Sequence, residues 1–180
     1  MNVGKKFEQT WRKCTPDYAL LYRIPDAAQS FDRSHNLRFS AKNPFDYILW
    51  DSRKKILYAL ELKTVCKKAI KYERVLTDKG EIHRHQIEGL NEWNKYDGVK
   101  CGFVIFFREE ERTVFVPIEG FNKILKEVPK KSFNLNDLTK YDIEHTEIGT
   151  QKVRTWYKFD VDGFLSGEQS VSVKEEFYEN

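Results

Sequence analysis

Apolar side chains near the start of the chain recur at Phe7, Trp11 and Cys14. This i, i+4, i+7 spacing of one helical face predicts a short amphipathic helix ended before Pro16. Tyr18 to Ile24 is a short apolar run stopped by Pro25, which predicts a strand. Residues 26–43 are polar and read as a long excursion. Two β-rich runs follow, DYILW and KILYALELKT, joined by Asp51-Ser52-Arg53-Lys54, and they predict an antiparallel hairpin. A basic loop over residues 65–80 leads to a predicted helix from Ile82 to Tyr96, with Gly98 as its stop signal. Strands are predicted at Cys101 to Phe107 and Thr113 to Pro117, and a helix at Gly120 to Val128. Asn136 to Tyr141 reads as a helical turn and Val153 to Phe159 as a strand. The order of elements predicts an α/β fold, a mixed central sheet flanked by helices.

Length and composition narrow this picture to one domain. A chain of 180 residues with 40% hydrophobic side chains can furnish one sizeable core. No repeat, low-complexity tract or Gly/Ser/Pro-rich linker marks a boundary. Charge is uneven: residues 1–131 carry 26 Lys and Arg against 18 Asp and Glu, and residues 132–180 carry 5 against 10. The basic excess sits in the front portion. No run approaches the roughly 20 apolar residues of a membrane span, and the N-terminus lacks a signal-peptide core, so a cytoplasmic, membrane-free protein is expected. Cys14, Cys66 and Cys101 are odd in number and lack any CxxC pair, which points to reduced thiols.

The chemistry concentrates in Asn43-Pro44-Phe45-Asp46 and Glu61-Leu62-Lys63. Alternate strand residues share a face, so Glu61 and Lys63 project together. With Ser52-Arg53 as a two-residue turn, Asp46 falls opposite Ala59 and diagonal to Glu61, roughly 7 to 8 Å away at the backbone. Two carboxylates so placed can share a Mg²⁺, which prefers oxygen ligands and keeps several waters; Mn²⁺ is expected to substitute. Lys63 then places a cation beside the attacking water and the scissile phosphate. An ExK alone is more often a solvated strand end; the preceding Pro-x-Asp and the hairpin give it context. Gln86 sits on the Ile82, Gln86, Gly89, Leu90, Trp93 stripe of its helix and needs a polar partner if buried. Glu8 lies beside the apolar stripe of the first helix.

These residues carry a resemblance. The order GKKFEQTW, PFDY, LELKT, HRHQIEGL and GVKCGFVIFFR, with KKSF at 130–133, resembles the RecU family of Holliday-junction resolvases, which are PD-(D/E)xK nucleases. The likeness spans about residues 4–145, with HxHQI and the apolar strand after it as its most specific part. It implies a restriction-endonuclease-like nuclease domain over 1–145, with 146–180 as an extension packed in part on the same domain. It implies metal ligation by Asp46 and Glu61, catalysis by Lys63, and support from Glu8 and Gln86. It also implies a homodimer whose two sites nick opposed strands of a four-way junction. Cellular members have a basic arm that is absent here, and the excursion differs from their junction-inserting stalk, which suits a phage-encoded version acting in an infected bacterial host.

Candidate DNA contacts are Lys67, Lys68, Lys71 and Arg74 in the loop beside the ELK strand, and Arg33 and Arg38 in the excursion. His83 and His85, at i and i+2 on a predicted helix, diverge too far to share an ion; they read as phosphate contacts or packing, with packing favoured for His85. Trp50 and Tyr72 stack on bases or pack, with packing favoured for Trp50. Val114, Phe115, Ile118 and Phe121 offer apolar material for a dimer interface or for the core. An endonuclease of ordinary duplex, or a nonenzymatic recombination accessory, are the competing readings.

Overall fold

The first apolar stripe folds as helix α1 (Val3–Cys14), capped by Asn2, whose side chain accepts the Gly4 amide at 3.0 Å. Phe7 and Trp11 are its buried residues, as the spacing predicts. The computed structural model describes residues 2–25, 43–75 and 77–167. The excursion, apart from Asn43, lies outside those residues, and so do Arg33, Arg38 and the acidic end from 168 onward.

After α1 come strands β1 (Ala19–Arg23), β2 (Tyr47–Asp51), β3 (Ile56–Val65) and β4 (Ile70–Lys71), then helix α2 (Arg84–Trp93). The chain continues through β5 (Val99–Phe107), β6 (Arg112–Pro117), α3 (Ile118–Glu127), β7 (Ser132–Phe133) and α4 (Leu135–Lys140). It closes with β8 (Thr146–Ile148), β9 (Thr150–Val153), β10 (Trp156–Phe159) and α5 (Val161–Ser166). Six strands form one sheet in the order β1-β2-β3-β5-β6-β8. Only β3 and β5 run parallel within it; the other neighbours are antiparallel. The crossover between the parallel pair is α2, the usual solution for joining parallel strands.

Helices cover both faces of this mixed sheet. Beneath α2, α3 and α4, one apolar layer joins Ala59, Phe103 and Ile105 to Leu90, Phe121 and Leu138. Beneath α1 and α5, the other joins Leu60, Val104 and Phe106 to Phe7, Trp11 and Phe164. Strands buried on both faces explain why β5 reads as a continuous apolar run.

Two expectations are corrected in detail, and two further readings are decided. The β2–β3 turn has four residues, not two: Asp51 pairs with Ile56, and Lys55 takes a left-handed φ of 58°. Asp51 drives this by accepting the Arg53 and Lys54 amides on Oδ1 at 2.9 and 3.3 Å, a local side-chain alternative to the tight turn. Helix α2 starts at Arg84, because His83 remains extended as its N-cap. Val114, Phe115, Ile118 and Phe121 are all buried in the monomer, so they fill its core and offer no interface. Finally, residues 146–167 pack on the same domain, as expected: β8 is the sixth strand of the central sheet, and Phe159, Val161 and Phe164 share a cluster with Phe7 and Trp11.

Candidate active site

The Pro44–Asp46 segment enters β2 by leaning on α2. Phe45 is buried and meets Trp93 edge-on at 5.0 Å. Gly89 permits the approach: a Cβ there would stand 2.9 Å from Pro44 Cα and nearer still to its Cβ. Asp46 is then held to β3, its amide donating to Leu60 O at 3.2 Å and its Oδ2 accepting the Leu62 amide at 3.4 Å. The β2–β3 ladder begins at Tyr47 opposite Leu60, and Asp46, just before it, reaches the Glu61 carboxyl with its own. The register differs from the expected one by two residues, an even slip that preserves the shared face. Glu61 faces α2 through Gln86, and the Asp46 carboxyl lies beside it.

Glu61 is the most constrained group of the site, with its side chain 3% exposed. Its Oε1 accepts from Lys63 Nζ at 2.9 Å and from Gln86 Nε2. Oε2 is buried and accepts from no N–H or O–H donor among the described residues, while the Asp46 carboxyl lies within hydrogen-bond reach of the Glu61 carboxyl. Burial raises the Glu61 carboxyl to about 7; Lys63 opposes the rise and Asp46 adds to it. Burial raises Asp46 too, again against Lys63. An ionisable pair in this condition is under electrostatic tension that a cation relieves.

Gln86 is the buried polar residue on the core-facing stripe of α2, and the partner it requires is Glu61. Its Oε1 accepts the His83 amide at 2.9 Å, so one amide ties the helix start to the acidic pair. Glu8 of α1 comes in from the opposite layer. Its Oε2 accepts the Tyr47 hydroxyl at 3.0 Å and pairs with Arg23 Nε at 3.4 Å. Tyr47 is raised by burial and then by Glu8, and the charge of Glu8 is felt at Asp46. Arg23 and Tyr47 were not legible as site residues. Tyr47 directly follows Asp46, yet nothing local reveals that its hydroxyl reaches across to α1.

Among the described residues no group of three or more His, Cys, Asp or Glu is gathered for a metal. The protein's share is two carboxylates, a donor set that suits a hard cation completing its shell with water and phosphate oxygens. The buried, donorless Glu61 Oε2 fits that role, since such an oxygen is costly unless something charged or polar completes it.

Lys67, Lys68 and Lys71 are exposed in the segment that leaves β3. Arg74 is differently employed: its guanidinium donates to the Tyr72 hydroxyl at 3.0 Å and to the carbonyls of Val128 and Lys130, closing the end of α3. Tyr72 is fully buried, with its hydroxyl on Lys130 O at 2.6 Å, so it packs. His83 and His85 do not splay apart as expected. Their rings stack at 5.6 Å and 14° because His83 precedes the helix proper, while its Nδ1 lies 2.8 Å from Glu73 Oε1.

Among the described residues no helix is long and apolar enough to cross a membrane. No protein-family model matches the chain. It is similar to the SPbeta prophage-derived uncharacterized protein YotM of Bacillus subtilis (strain 168), with 32% identity over 157 residues that cover 83% of this chain and 76% of the relative. At that identity and coverage, the chain belongs to the same family as this prophage-derived protein.

Proposed function

We propose that this protein is a Mg²⁺-dependent DNA endonuclease with a restriction-endonuclease-like fold, which resolves four-way junctions as a homodimer in a bacterial or phage-infected cytoplasm. The observation that carries the reading is the Asp46–Glu61 pair: a half-buried and a buried carboxyl side by side, one Glu61 oxygen without a donor, with Lys63 at 2.9 Å. The prophage origin of the relative supports a phage setting.

Asp46 and Glu61 hold the cation, which supplies positive charge for the phosphate oxygens in the transition state. Lys63 orients the attacking water and stabilises the charge that develops on phosphorus oxygens. Gln86 keeps Glu61 in place, and the Glu8–Tyr47–Arg23 group braces the far side of Asp46. Lys67, Lys68 and Lys71 track the DNA backbone. Arg74 shapes the loop from within.

The decisive test is cleavage of a synthetic four-way junction and of linear duplex with the same sequence, with Mg²⁺, with Mn²⁺ and with neither. Paired, metal-dependent nicks in the junction are expected. Preferential cutting of duplex favours a restriction- or repair-type nuclease, and binding without cutting favours an accessory role. Sedimentation of the same samples at micromolar concentration should give two chains per particle, because one site makes one nick and a two-fold junction needs two.

The lysines have their own expected signature. Replacing Lys67, Lys68 and Lys71 by Ala should flatten the log–log salt dependence of junction binding by about one unit for each lysine that no longer neutralises a phosphate. An unchanged slope returns the loop to plain solvated surface.

A further inference from the structure

Beside the acidic pair lies a second group of titratable side chains that the proposed chemistry does not use. Glu73 follows β4 and returns to the start of α2, where Tyr72 bridges Ile82. Its Oε1 lies 2.8 Å from His83 Nδ1 and its Oε2 accepts the Arg84 amide at 3.0 Å. These contacts, His83 first, hold the Glu73 carboxyl below the usual carboxylate range, so Glu73 is a fixed anion. A carboxylate only accepts, hence Nδ1 carries the hydrogen, and the other ring nitrogen is set by that bond.

We propose that Glu73 and His83 form a second phosphate subsite. Glu73 grips the imidazole at Nδ1, and the Nε2 edge takes an oxygen of a DNA phosphate next to the one that Asp46, Glu61 and Lys63 address. The inference rests on the DNA-binding part of the reading above.

Two observations converge on it. The His83 side chain is 44% exposed although its Nδ1 is engaged by Glu73 and its ring stacks with His85. The subsite is one amide from the acidic pair, since Gln86 takes the His83 amide at 2.9 Å and hands its own Nε2 to Glu61. Neighbouring phosphates of one strand thus meet neighbouring groups of one wall. A phosphate oxygen at Nε2 calls for an imidazole that carries both hydrogens, which makes the proposed contact charge-assisted and pH-dependent. Among the described residues His85 and Arg84 of α2 also stand beside it, and Arg84 is paired with Glu88 at 2.6 Å.

The test is His83→Asn, because Asn is a favoured N-cap and keeps the helix start while removing the ring. Binding of a labelled four-way junction is measured in EDTA across a salt series at pH 6 and pH 8, with the melting temperature as a folding control. At pH 6 the variant should bind roughly 3- to 10-fold more weakly, with a log–log salt slope shallower by about one; at pH 8 the two slopes should converge. Equal slopes at pH 6, or a difference unchanged at pH 8, overturn the subsite. If the Asn variant melts early, His83→Gln takes its place under the same criteria. Metal-free binding keeps this test apart from the nuclease reading, which stands or falls on cleavage by the unaltered protein in Mg²⁺.

Discussion

Glu61→Gln and Asp46→Asn are each expected to lose metal-dependent cleavage by at least about 10²–10³-fold, the scale for removing one preorganised electrostatic group from a reaction centre. Junction affinity in EDTA should change little, because each change removes a ligand charge but keeps the shape of the side chain. Lys63→Ala should lose cleavage comparably while still binding Mg²⁺ or Mn²⁺ in a calorimetric titration. Full activity in either carboxylate variant removes the metal assignment. The same substitution at Glu61 carries an opposite effect on stability. Burial raises its carboxyl from about 4.5 to about 7, and a raised carboxyl stabilises the fold while protonated and loses that contribution as pH climbs through the interval. The unaltered, metal-free protein should therefore weaken between about pH 4.5 and 7 relative to Glu61→Gln, which has no proton to lose. Above pH 7 the variant should be the more stable by on the order of 1–2 kcal/mol, after allowing for the missing Lys63 pair. Urea titrations at pH 5 and pH 8 measure the crossover, and parallel pH profiles would remove the burial argument.

Gly89→Ala is expected to impair both folding and cleavage without touching a catalytic atom. The added methyl meets Pro44 backbone and ring, with Pro44 Cα at 2.9 Å, and neither is the flexible end of a side chain. Overpacking of this kind costs about 1–3 kcal/mol. The strain is relieved by moving α2 away from Pro44, which separates the two supports of the site: Gln86 travels with the helix, and Asp46 travels with Pro44 and Phe45. A displacement near 1 Å is enough to cost about 10²-fold in rate. A single-turnover rate at saturating DNA isolates this from binding, and a rate unchanged in the face of a lowered melting temperature would mean that Asp46 is positioned by β3 alone.

The sequence by itself determined the elements whose signal is local. Phe7 and Trp11 at helical spacing specify α1, the apolar run through Phe107 specifies β5, and alternation puts Glu61 and Lys63 on one face of β3, because each of these depends only on backbone period. The shared face of Asp46 was equally legible, since an even error in register leaves parity intact. Tertiary structure decided everything that depends on partners distant in the chain. The four-residue turn follows from Asp51 capping amides that a tight turn would have left elsewhere. The short strands β4, β7 and β8 are too brief to carry a period and exist only through pairing with remote segments. Gln86 on Glu61, Glu8 on Tyr47 and Arg23, and Arg74 on the end of α3 are interactions made across layers. A side chain's residue type limits the bonds it can make, but packing selects which one it makes, and that selection turned four apolar residues offered for an interface into core and two divergent histidines into a stacked pair held by Glu73.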